Sequence, residues 1–118
     1  MNRLAKWRRK SIGSDRFRVS VQVSFSAQNV EGTGMVRNLA LRGALIETRT
    51  PVTTDSQLAL SMTLAKEGVP LNLPAAVRWV RDDQVGVEFL KLDAEAFQQL
   101  SEYLFGVKNA ADLQPKAA

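Results

Sequence analysis

AVRWVRDDQVGVEFLKL, residues 76–92, is the stretch that decides the fold. Ala75 to Val80 and Gln84 to Phe89 are two apolar-rich runs joined by Asp82-Asp83, and Val85, Val87 and Phe89 alternate with other residues. Two such runs around a polar two-residue turn read as a β-hairpin. Working upstream, Phe17, Val19, Val21, Val23 and Phe25 alternate with Arg18, Ser20, Gln22 and Ser24, the period-2 pattern of a half-buried strand. Gly32-Thr33-Gly34 reads as a turn into a second strand at Met35-Val36-Arg37, and Ala44–Thr48 as a third. Leu58–Leu64 gives a fourth, followed by a turn at Lys66-Glu67-Gly68. Val69–Val80 carries Pro70 and Pro74, so its first half is expected at an edge or a bulge rather than in a central strand.

Downstream of the hairpin the period changes. Asp93 is a good N-cap, and Phe97, Leu100, Tyr103 and Leu104 follow at helical spacing as core positions. Gly106 is placed to end that helix. The expected fold is mainly β, a six-stranded antiparallel barrel with a C-terminal α-helix over one open end. The expected division is a basic flexible arm over 1–15, the barrel domain over 16–106 and a disordered tail over 107–118.

The charge is uneven. Residues 1–18 hold seven Lys/Arg (Arg3, Lys6, Arg8, Arg9, Lys10, Arg16, Arg18) against Asp15, which is +6. The other hundred residues hold nine bases and eleven acids, or −2, and the whole chain is +4. A concentrated cationic arm on a near-neutral body suits an anion: phosphate, nucleic acid, a membrane surface or an acidic partner. The bland reading is a solvated tail. The arm runs straight into the first strand, however, which fixes its last arginines on the fold.

With no Cys and no His in 118 residues, the chain lacks thiolate ligands, disulfides, a Cys nucleophile and the usual general base. No Gly-rich phosphate loop, GxSxG or metal-ligand cluster is present, so no catalytic or metal site is assigned and an enzyme is not expected. No apolar segment follows the basic N-terminus and no run reaches about 20 apolar residues. A cytoplasmic, bacterial-type module without a membrane span is the expectation. Trp79 reads as core or barrel-face packing rather than a base-stacking residue, and Asp82-Asp83 as a turn rather than a carboxylate pair. Trp7 and Leu4 make too small an apolar face for a membrane anchor.

Three stretches together resemble the PilZ domain family: RFRVSVQV at 16–23, NLALRGALIET at 38–48 and the hairpin at 76–92. The resemblance covers about residues 14–105. It implies a small bacterial β-barrel with a C-terminal helix that commonly binds cyclic di-GMP. It also implies a ligand signature of Arg, three residues, Arg, and later [Asp/Asn]-x-Ser-x-x-Gly. The second Arg matches Arg18, the expected main anchor, and the first falls on Ser14. Arg16, Arg9 and Arg8 are the arm residues that could supply the missing guanidinium. In the loop Asn38 and Gly43 match, Ala40 stands where the family has Ser, and Arg42 completes the candidate set.

The chemistry suits the ligand. A guanidinium donates bidentately to guanine O6 and N7, pairs with phosphate and stacks on a purine, while an Asn oxygen accepts from guanine N1 and N2. The expected function is cyclic di-GMP binding that changes contact with an unidentified protein partner, with no other cofactor and no specific nucleic acid. The alternative is a degenerate PilZ adaptor that binds protein only. A third reading is sequence-independent, salt-sensitive binding of nucleic acid by the arm.

Overall fold

The computed structural model describes residues 16–64 and 68–113. Within them lie β1 (Phe17–Ala27), β2 (Val30–Leu39), β3 (Gly43–Glu47), β4 (Gln57–Met62), β5 (Leu71–Arg81), β6 (Gln84–Phe89) and a helix, α1 (Ala94–Leu113). The strands close into an antiparallel barrel in the order β1-β2-β3-β6-β5-β4, with β4 returning to pair with β1. Alternation works as the sequence dictates. Val21, Val23 and Phe25 point inward and are buried, while Gln22 and Ser24 face solvent. Val36, Leu39, Ile46, Leu60, Met62 and Val77 fill the interior. The described residues include no helix long and apolar enough to cross a membrane.

Four local expectations are corrected. Gly32-Thr33-Gly34 is not a turn: these residues lie within β2 opposite Phe25, Ser24 and Val23, and the chain reverses at Gln28-Asn29. The described glycines include none with a positive φ, so the latitude that suggested a turn is unused there. The second correction concerns Pro74, which sits inside an unbroken β5 opposite Ala59 of β4. Pairing of β5 with β6 begins only at Ala75, and the Pro74 carbonyl accepts from Leu90 N–H at 2.9 Å. A residue's N–H and C=O project to the same side of a strand, so the proline ring faces past the end of β6 and no bond to β4 is lost.

The helix supplies the other two. Asp93 caps it as expected, its Oδ1 accepting from Ala96 N–H at 2.8 Å, and Ala96, Leu100 and Leu104 seal one barrel end. Phe97, expected in the core, is 50% exposed on the helix flank. The helix also continues through Gly106 to Leu113, so residues 107–113 are helical rather than a disordered tail. Nothing lies within 4 Å of a Cβ at Gly106, so no packing contact sets its place. The expected arm over 1–15, the turn residues Lys66 and Glu67, and residues 114–118 lie outside the described residues.

Candidate ligand site on the barrel wall

The loop from Ala40 to Arg42 joins β2 to β3. Leu41 is only 8% exposed and belongs to the core cluster, which leaves Ala40 and Arg42 on the outside. Two backbone bonds hold the loop: Ala40 N–H donates to Gly43 O at 2.9 Å, and Phe89 N–H to Arg42 O at 2.8 Å. Gly43 is required by close approach, since a Cβ there would overlap the Val87 carbonyl on β6.

Register shifts lie beside this loop in β1 between Arg18 and Val21, in β2 between Val36 and Asn38, and in β5 between Val77 and Trp79. A bulge inserts an unpaired residue and re-aims its side chain. Arg37 and Arg78 are the residues so inserted. Each is tied to a glutamate on the neighbouring strand, Arg37 Nε to Glu47 Oε1 at 2.8 Å and Arg78 Nε to Glu88 Oε1 at 2.7 Å. Beyond the β5 bulge, Trp79 pairs with Gly86. A Cβ on Gly86 would overlap the indole, so the ring covers the glycine and remains 45% exposed.

A concavity of about 420 Å³ results on the outer wall. It brings together Arg16, Asn38, Ala40, Arg42 and Gly43 from the expected set, and adds Arg78, Trp79, Gly86 and Glu88. Arg18 lines a neighbouring groove of about 550 Å³ with Arg37 and Gln84, and the two hollows share Asn38 and Leu45. Arg8 and Arg9 lie outside the described residues, as does Ser14. A larger hollow of about 1240 Å³ runs over β1, β4 and β5, but its lining holds no arginine or lysine and a single acid, Glu31, so size alone does not select the site.

Three guanidinium groups against one carboxylate make the smaller hollow cationic, and an indole face, an amide and a close-packed glycine line it. Such a wall is able to receive a planar, anionic ligand. The sequence reading missed Trp79 as part of this surface, although a signal was present. Counting back from a two-residue turn at Asp82-Asp83 sets Arg81 opposite Gln84, Val80 opposite Val85 and Trp79 opposite Gly86. A tryptophan facing a glycine has no cross-strand side chain beside it, and its ring is left open.

The fold is a small closed barrel sealed by a helix, with a cationic hollow built from loop and wall. The family model for the PilZ domain matches residues 8–106, and the chain belongs to that family. No curated protein matches the chain. Among solved structures, the PilZ domain of CeSA from a cellulose synthesizing bacterium is similar at 16% identity and TM-score 0.66, over 80% of this chain and 99% of that one. The Bacillus subtilis inhibitor of motility MotI/DgrA aligns at 15% identity and TM-score 0.69, with 85% of this chain covering about half (51%) of that protein. The PilZ domain of YcgR from Escherichia coli, solved with c-di-GMP, aligns at 13% identity and TM-score 0.68 over 81% and 90% of the two chains. At these identities the likeness is one of fold.

Proposed function

We propose that the protein is a cyclic di-GMP receptor that acts as a binding module rather than an enzyme, altering its contact with a partner protein when the nucleotide is bound. The observation that carries this reading is the convergence of Arg16, Asn38, Arg42 and Trp79 on one hollow. A guanine stacked on the Trp79 indole would bring its O6 and N7 edge toward guanidinium donors and its N1 and N2 toward Asn38, with the phosphates left for the remaining arginine. The c-di-GMP with which the YcgR domain was solved has this chemistry. Ala40 presents a methyl group on the rim, so one hydroxyl contact is forgone and the expected affinity is micromolar or weaker.

Ala40 also favours the second reading, a protein-only adaptor. Calorimetric titration with cyclic di-GMP, with GTP as control, separates the two. Saturable heat with cyclic di-GMP alone supports the receptor. Silence at millimolar nucleotide leaves the adaptor.

A further inference from the structure

The bulge in β5 produces an arrangement that regular alternation forbids. Along an unbroken strand successive side chains point to opposite faces. Arg78 and Trp79 are consecutive, yet both line the hollow on the outer wall, because the extra residue between Val77 and Trp79 turns the arginine to the indole's side. Their Cα atoms are about 3.8 Å apart, so a guanidinium is carried beside a flat aromatic ring. Glu88, the one carboxylate among the described residues lining the hollow, accepts from Arg78 Nε at 2.7 Å. Glu88 stands between Gly43 on β3 and Ala76 on β5, whose missing and small side chains leave the pair open on both flanks. Arg78 makes no other side-chain hydrogen bond among the described residues, which leaves both of its Nη groups free there. Arg37, the bulge residue of β2, differs: Glu47 holds its Nε, and its Nη1 also donates to Ser20 Oγ at 3.3 Å.

We propose that Arg78 is the residue that reads guanine in this hollow, its two Nη groups donating to O6 and N7 of a base stacked on Trp79, and that Glu88 is its positioning residue. The assignment rests on the receptor reading above. A guanidinium offers two forks, Nε with one Nη or the two Nη groups together, and Glu88 occupies the first. Guanine O6 and N7 are both acceptors, whereas adenine presents an N6 donor beside N7, so the same fork rejects adenine. Phosphate is the poorer use of Arg78, because Glu88 already offsets its charge. Arg16 and Arg42 take part in neither ion pair formed among the described residues and stay available to phosphate.

Calorimetric titration of the full chain with cyclic di-GMP and with cyclic di-AMP tests this, and the ratio of the two affinities is the readout. The ratio expected is about ten- to a hundredfold in favour of guanine, the worth of one bidentate pair. Arg78→Lys keeps the charge but not the fork. It should weaken cyclic di-GMP by about that factor and cyclic di-AMP far less, at an unchanged thermal midpoint, since a half-exposed ion pair adds little stability. Glu88→Ala should lower the ratio about two- to tenfold, and Glu88→Gln, whose amide oxygen still accepts from Nε, should restore most of it. Equal weakening of both nucleotides by Arg78→Lys overturns the proposal and makes Arg78 a phosphate contact. An equal gain for both nucleotides in Glu88→Ala and Glu88→Gln, at an unchanged ratio, overturns the positioning role and leaves Glu88 as simple repulsion. A wild-type chain that binds neither nucleotide fails the receptor reading, and the assignment falls with it. One that binds cyclic di-GMP with a ratio untouched by Arg78→Lys overturns the assignment alone.

Discussion

Ala40 lines the candidate ligand hollow without being buried, and its N–H is already committed to Gly43. A hydroxyl added there would find either ligand or water. Ala40→Ser should therefore raise cyclic di-GMP affinity about two- to tenfold, the worth of one neutral hydrogen bond, at unchanged thermal stability. Titration and a melting curve on the same variant check both halves, and lower stability without tighter binding would mean that the position is structural. The arginines can be ranked in the same way. Arg16 lines the hollow with Asn38 and Arg42, whereas Arg18 lines its neighbour. Arg16→Ala should weaken binding about ten- to a hundredfold, and Arg18→Ala less; the reverse order would place the ligand in the Arg18 groove. Tyr103 provides a pH signature. Desolvation by burial raises its pKa above the usual 10.0. A group whose folded pKa is raised contributes stability that is fully present below the unfolded value and is lost as pH rises through the folded one. Thermal stability should fall above about pH 10, and Tyr103→Phe should flatten part of that alkaline slope.

At the level of elements, the hairpin β5–β6 does two jobs: it closes the wall and presents Trp79 over Gly86. Gly86→Ala should push the indole off the strand. The outcome expected is weaker nucleotide binding and a changed Trp79 emission, read in a Trp7→Phe background, with the barrel's circular dichroism retained. Unchanged affinity would remove the indole from the site. The hairpin, β1 and the cap at Asp93 were legible in the sequence because each rests on short-range rules: alternation, a two-residue turn, a carboxylate before a helical run. Other features were not, because they are set by neighbours far along the chain. The bulges that insert Arg37 and Arg78 depend on how three strands match in register. Pro74 is tolerated because β6 ends opposite Ala75, which no local pattern announces. Phe97 has the spacing of a core residue, yet Ala96, Leu100 and Leu104 are the residues that meet the barrel and Phe97 is left half-exposed beside them. The same holds for the site: the residue types in the loop at 38–43 were readable, but the partition of Arg16 and Arg18 between two hollows was not.

For the whole molecule, closure of β4 onto β1 leaves no open sheet edge among the described strands, and the remaining weak point is the barrel end that α1 covers. Leu100 and Leu104 are fully buried there, in one cluster with Leu39, Met62 and Leu41 of the 40–42 loop. A chain ending at Leu92 should lose cooperative unfolding and expose apolar surface to a dye such as ANS. A sharp melting transition in that truncated chain would show that the strands alone suffice.

The barrel also has a second end, and its contents differ. The 40–42 loop, the start of β1 and the helix gather at one rim, while the Gln28-Asn29 reversal, the 48–56 connection and the Asp82-Asp83 turn gather at the other. For anyone building a reporter from this scaffold, that polarity separates the candidate site from a rim that can be altered. Gln28 and Asn29 are exposed and join strands already locked in register from Ala27↔Val30 onward. A fluorescent domain spliced between them should hang from the rim opposite both the 40–42 loop and α1.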